Sequence, residues 1–125
     1  MYEITIIKSF SAAHRLSNIG GKCEELHGHN FNVEVSLSAP GLNAEGLLLD
    51  FRILKEWTEE ILEGLDHKYL NEQAYFKNVN PSAENLARYL HDQLEEKARR
   101  EGAEVCCVTV WESANAKASY RGKSK

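Results

Sequence analysis

His27 and His29 stand two residues apart with only Gly28 between them. In an extended chain, residues at that spacing project to one face, so two imidazoles would aim into one pocket. A third histidine, His14, closes the earlier apolar stretch Phe10-Ser11-Ala12-Ala13-His14. Three neutral imidazoles with an open fourth position make the ligand set of a catalytic zinc rather than a structural one. Cys23 precedes His27 closely enough to bring a thiol to that pocket without serving as a ligand. A lone His-x-His pair is more often incidental, and a lone cysteine is more often an inert buried thiol. Here three of the five histidines and one of the three cysteines fall within residues 14–29. That concentration is the case for a zinc site with a reactive thiol beside it.

Two further groups could do chemistry. In Leu65-Asp66-His67-Lys68-Tyr69-Leu70-Asn71, a carboxylate adjoins an imidazole and could orient it or raise its basicity. Neighbours in sequence often point apart, so a surface loop explains the dipeptide equally well. Glu112 ends an apolar strand pattern, where a carboxylate is either a solvated strand end or an anchor for a ligand.

The elements that must position these groups follow from periodicity. Tyr2, Ile4, Ile6, Phe10 and Ala12 form one mostly apolar face, broken by Lys8 and ended by His14. Residues 15–26 hold Gly20-Gly21 and read as an excursion loop. Phe31, Val33, Val35 and Leu37 then alternate with polar residues as a half-buried strand, with His27 and His29 on its apolar side. Antiparallel pairing of these two strands gathers all three histidines on one face. Ala39-Pro40-Gly41 breaks the second strand, and Asp50 caps a helix over 51–65 with Ile53, Leu54, Trp57, Ile61 and Leu65 at helical spacing. Asn80-Pro81-Ser82-Ala83-Glu84 opens a second helix with a capping side chain and proline in its first turn. Its stripe is Ala83, Leu86, Ala87, Leu90, Leu94 and Ala98, and Gly102 stops it. Glu104 to Glu112 is apolar on both sides, which suits a central strand or one at a subunit interface. Cys106, Val108, Val110 and Glu112 share its parity, and Ala118 to Arg121 forms a short last strand. The expected fold is α+β in the order β-β-α-α-β-β: a four-stranded antiparallel sheet with two helices on one face.

Composition bounds the function. The chain has 125 residues, 42% hydrophobic and 27% charged, the profile of one globular domain over 1–125. A net charge of −4 argues against nucleic-acid binding through general electrostatics. An anionic small substrate would need local cations, for which Arg15, Lys22, Lys68, Arg121 and Lys123 are candidates. No apolar run approaches the ~20 residues that span a bilayer, and Met1-Tyr2-Glu3-Ile4 lacks a signal-peptide layout. Three cysteines, two of them adjacent, make no disulfide framework. The expectation is a reduced, cytoplasmic protein with no membrane partner.

Taken in order, the motifs resemble the 6-pyruvoyl-tetrahydropterin synthase family of tunnelling-fold enzymes, and within it the 6-carboxy-tetrahydropterin synthases of the queuosine pathway. The resemblance runs from Phe10-Ser11-Ala12-Ala13-His14 to Glu112. It includes Cys23-x-x-x-His27-Gly28-His29-Asn30, Leu49-Asp50-Phe51, Leu65-Asp66-His67-x-x-Leu70-Asn71 and Pro81-Ser82-Ala83-Glu84-Asn85. It implies that His14, His27 and His29 bind zinc, that Cys23 is the catalytic cysteine, and that Asp66 and His67 form an acid–base pair supplied across a subunit contact. Glu112 would hold the guanidine-like edge of a pterin through two parallel N–H bonds. Ser82 matches a pterin-contacting position where threonine is usual. The implied substrate is 7,8-dihydroneopterin triphosphate, giving 6-carboxy-5,6,7,8-tetrahydropterin, acetaldehyde and triphosphate without a nucleotide cofactor. The short spacing from Cys23 to His27 resembles the carboxy-forming branch, whereas the biopterin-forming animal enzymes carry an insertion there. Glu24 also fits a variant pattern, in which a glutamate acts as base on dihydroneopterin to release a hydroxymethyl pterin for folate synthesis. A zinc- or pterin-binding module without catalysis, and a zinc hydrolase, are the rival classes. The family assembles as trimeric barrels that stack, usually into hexamers.

Overall fold

The structure is a computed structural model that describes residues 1–122, apart from the side chains of Lys22 and Cys23. The Cys23 thiol and the cations of Lys22 and Lys123 therefore lie outside the described residues. Two long strands, β1 (Tyr2–His14) and β2 (His27–Ala39), pair antiparallel along their whole length, with His14 opposite His27 and Ala12 opposite His29. Alternation does the sorting: Ile6, Phe10, Ala12 and His14 of β1 and Phe31, Val33, Val35 and Leu37 of β2 are buried on one shared face. Lys8, the break in that pattern, reaches Glu59 and pairs with it at the margin of the core.

Helix α1 (Phe51–Glu63) starts where the Asp50 carboxylate accepts the Arg52 N–H at 2.8 Å. It buries Leu54, Thr58 and Leu62, so the stripe lies one position round from the one expected: Ile53 is exposed, while Trp57 and Ile61 pack at the core's edge. Thr58 is tolerated there because its hydroxyl donates to the Leu54 carbonyl at 2.8 Å. Helix α2 (Ala83–Arg100) buries the expected Leu86, Leu90, Leu94 and Ala98, together with His91. Its cap is Ser82, whose hydroxyl accepts the Asn85 N–H at 3.1 Å, so Pro81 precedes the cap instead of sitting in the first turn.

The expected four-stranded antiparallel sheet is corrected by a fifth strand. The sheet is mixed, in the order β3-β1-β2-β4-β5. Strand β3 is only Lys68–Tyr69, and it runs parallel to Ala12–Ala13 of β1. Two residues cannot display a period, which is why the segment reads as loop in the sequence. What sets it there is a reversal at His67, whose φ of 57° lies in the left-handed region while its N–H donates to the Ser11 carbonyl at 2.6 Å.

Strand β4 (Glu104–Ser113) is central, between β2 and β5 (Ala116–Tyr120). Its pairing with β2 shifts register between Ser36 and Leu37, so Val105 opposes Leu37 and Cys107 opposes Ser36. The bulge at Cys106 breaks the strict parity expected for this strand. Val105, Val108 and Val110 are buried, and Cys106 is only half-buried.

Candidate metal centre

The end of the β1–β2 ribbon brings three imidazoles together. The His14 and His27 rings are 4.5 Å apart between centroids, His14 and His29 5.1 Å, and His27 and His29 4.8 Å, all edge-to-face. The ribbon's register is the cause, because it sets His14 directly across from His27 with His29 one pleat along the same face. Glu112 completes the group: its Oε1 lies 3.4 Å from the Nε2 of both His14 and His29. One ligand atom from each of His14, His27, His29 and Glu112 falls within 4.8 Å of the others.

Tautomers are assigned by main-chain carbonyls. His14 Nδ1 lies 2.7 Å from the Pro81 oxygen and His27 Nδ1 lies 2.8 Å from the Glu25 oxygen. A carbonyl only accepts, so each Nδ1 carries the proton and each Nε2 keeps its lone pair. This is how a metal-binding imidazole is usually oriented. His14 Nε2 is also buried with no hydrogen-bond partner. An orphaned buried acceptor is costly, and a cation among three such nitrogens would satisfy it. The residues present fit a zinc ion.

Burial, the largest influence, holds the His14 pKa below its usual 6.5, aided by the nearby His27 and His29, while the Pro81 bond and Glu112 oppose it. The depressed value means that the unfolded chain takes up a proton more readily than the folded one. The resulting stability is full above the unfolded value of about 6.5 and is lost as pH falls toward the folded pKa. The melting temperature of metal-free protein should therefore drop between pH 7.5 and 5.5, and His14→Gln should flatten that dependence. An equal pH response in the variant would place the titrating group elsewhere.

The other expected site residues lie apart from this cluster. The Asp66 carboxylate accepts the Ser11 N–H at 2.9 Å and lies 3.1 Å from His67 Nδ1. The Ser11 bond, then His67, keeps its pKa below the ordinary carboxylate value. The two neighbours do point toward each other, and the His67 ring is largely exposed. His67 borders an open groove of about 490 Å³ whose lining includes Ser11, Ala12, Gly28, His29, Asn30 and Tyr69. The side chains of Ser11, Ala13 and Asn30 alternate with those of Ala12, His14 and His29, and the groove, at the end of the β1–β2 ribbon, reaches residues of both sets. Within one chain the structure joins Glu112 to the histidines but not Asp66 and His67. Ser82 caps α2, one residue after the carbonyl that holds His14. Glu24 accepts the Asn18 N–H at 3.0 Å, which ties its carboxylate to its own loop.

Sequence reasoning missed the Pro81 and Glu25 carbonyls and the Ser11 N–H, because main-chain groups leave no signature in residue types. It gave no geometric reason to place Glu112 against the histidines, which the structure does at 3.4 Å from His14 and His29, just past the Asn32–Trp111 pair of β2 and β4.

Residues 3–123 match the family described as "6-pyruvoyl tetrahydropterin synthase". A 6-carboxy-5,6,7,8-tetrahydropterin synthase of Synechocystis is 36% identical over 93 residues, covering 70% of each chain. A 6-pyruvoyl tetrahydrobiopterin synthase of Drosophila melanogaster is 33% identical over 133 residues, covering 95% of this chain and 79% of the fly protein. The structure of Caenorhabditis elegans 6-pyruvoyl tetrahydropterin synthase superposes with a TM-score of 0.86 at 27% identity, covering 98% of this chain and 96% of the worm chain. With a match across nearly its whole length and relatives of both product types, the chain belongs to the 6-pyruvoyl tetrahydropterin synthase family.

Proposed function

We propose that this chain, acting as one domain over 1–125, is a zinc-dependent 6-carboxy-5,6,7,8-tetrahydropterin synthase. Its substrate would be 7,8-dihydroneopterin triphosphate and its pathway queuosine biosynthesis, in the cytoplasm. The observation that carries the reading is the set of three imidazoles with His14 Nε2 buried and unpartnered. His14, His27 and His29 would hold the ion, which when bound acidifies protons on the substrate side chain and stabilises the negative charge that develops there. Cys23 removes a proton as thiolate. His67 receives or delivers protons on the other side of the substrate, and Asp66 holds its Nδ1 face. Glu112 accepts the paired N–H groups of the pterin from beside the imidazoles, and the Ser82 hydroxyl, already an acceptor for Asn85, keeps its own proton to donate.

Assembly is proposed from the same parts. β3 covers only Ala12 and Ala13, which leaves the outer edge of β1 from Tyr2 to Ser11 without a strand, and β5 forms the opposite edge among the described residues. Open edges are templates for pairing with another chain. Joining the β5 edge of one copy to the β1 edge of the next would build a homo-oligomeric barrel, a hexamer when two rings stack. The exposed Asp66–His67 pair would then serve a neighbouring copy's metal centre.

The test is a product assay on zinc-loaded protein with 7,8-dihydroneopterin triphosphate, resolving pterins by mass and measuring acetaldehyde. Equal amounts of 6-carboxy-tetrahydropterin and acetaldehyde are expected. A pyruvoyl product would transfer the chain to the biopterin branch, and a hydroxymethyl pterin from dihydroneopterin to the folate variant with Glu24 as base. Pterin binding without turnover would leave a binding module.

A further inference from the structure

The segment that leaves His14 and returns at His27 contains Cys23 and Glu24, and two asparagines tie its first residues to the rest of the fold. The Arg15 N–H donates to Asn71 Oδ1 at 2.9 Å while Asn71 Nδ2 donates back to the Arg15 carbonyl at 2.9 Å. Two residues on, the Ser17 N–H donates to Asn80 Oδ1 at 2.8 Å and Asn80 Nδ2 donates to the Ser17 carbonyl at 3.0 Å. Each side-chain amide thus acts as a one-residue strand partner, satisfying a donor and an acceptor that the loop would otherwise leave to water. Asn80 is itself gripped, because Asn85 Nδ2 donates to its carbonyl at 2.9 Å from the first turn of α2. The next residue, Pro81, supplies the carbonyl that orients His14. The loop's far end closes on itself through Glu24 and the Asn18 N–H, with Asn18 at a left-handed φ of 65°.

We propose that Asn71 and Asn80 are positioning residues for the reaction: Asn71 ties the start of the Cys23-bearing loop at Arg15 to the segment after β3, and Asn80, held by Asn85, ties it at Ser17 to the turn whose Pro81 carbonyl fixes the His14 ring. The metal-binding ring and the loop carrying the thiol are thereby held by two adjacent residues, Asn80 through its side chain and Pro81 through its main chain. A shift of the loop relative to the imidazoles would misplace a proton-transfer group while leaving the metal ligands intact. This inference rests on the catalytic reading of Cys23 given above.

The experiment compares Asn80→Ala, Asn80→Asp and Asn43→Ala in the full-length, zinc-loaded protein. Asn43 makes a similar local turn, accepting the Glu45 and Leu47 N–H groups, and lies outside the loop in question. Hydrogen exchange of residues 16–24, zinc affinity, and kcat and KM separately are measured for each. In Asn80→Ala, exchange across the loop should accelerate about tenfold, beyond Ser17 to Glu24, as two hydrogen bonds are lost. Its kcat should fall by about tenfold or more, since misplacement of a catalytic group acts on the chemical step. Zinc affinity and KM should stay within about twofold, in line with unchanged ligands. Asn80→Asp keeps the acceptor for the Ser17 N–H and should recover part of both losses. Asn43→Ala should change neither.

Unchanged exchange in Asn80→Ala would overturn the clamp. Faster exchange with kcat intact would reduce it to local structure and overturn the positioning role. Should the native protein fail to turn over the triphosphate, the product reading fails on its own. Exchange reaching Glu24 in Asn80→Ala, or stopping at Ser17, still decides for or against the clamp.

Discussion

Cys23→Ala lowers kcat by roughly 10²–10⁴-fold, the range for removing a general acid or base, while zinc and pterin binding persist. The expectation follows from dividing labour between ligands and proton carriers. On the proposed reading the three imidazoles would hold the metal without the thiol, and Glu112 beside them would meet the pterin, so neither binding event would use Cys23. Isothermal titration with zinc and with a non-reacting pterin, set beside kcat, separates the roles. A parallel loss of zinc would make Cys23 a ligand, and retained turnover would pass the base role to Glu24. The companion variant Glu24→Gln addresses that outcome. If Cys23 is the base, this change acts only through the bond to Asn18 and costs far less than the cysteine variant.

His14→Ala and His29→Ala both lose zinc, each by more than the ~10–100-fold typical of removing an outer-shell partner, but they part in metal-free stability. His14 is fully buried, donates to the Pro81 carbonyl and packs edge-on against Phe31 at 5.6 Å. Truncating it orphans that carbonyl and opens a void, at a cost of about 1–3 kcal/mol. Relief of the unpartnered Nε2 offsets part of this. His29 is partly exposed and has no carbonyl holding its ring among the described hydrogen bonds, so its removal should leave metal-free stability within about 0.5 kcal/mol. Denaturant unfolding of the two chelated variants reads the difference. Equal destabilisation would mean that His14 is no more a structural residue than His29.

Legibility from sequence differed between these residues for physical reasons. The trio His14, His27 and His29 was readable because a strand repeats every two residues, and the apolar residues around each histidine report which face it takes. Asp50 was readable as a cap because a helix start leaves N–H groups that such a side chain satisfies, whereas at α2 the cap is Ser82, after the proline expected in the first turn. The buried stripe of α1 was less so: the alternative apolar positions Leu54, Trp57 and Ile61 lie on overlapping faces, and contact with β1 and α2 selects the one containing Thr58. β3 was invisible at two residues, as was the bulge at Cys106, since neither alters residue type in a periodic way.

The sequence by itself determined the two-stranded ribbon, the two helices, the facing of the three imidazoles and the family to which the chain belongs. Those properties follow from side-chain chemistry and short-range periodicity, which are written in residue types. Tertiary structure decided the rest. It paired Glu112 with His14 and His29, kept Asp66 and His67 out of that cluster, assigned the imidazole tautomers through Pro81 and Glu25, and fastened the Cys23 loop with Asn71 and Asn80. Each of these is a contact with a main-chain group or between segments far apart in the chain. A carbonyl is the same atom at every position, so only the path of the folded backbone can say which one meets a histidine.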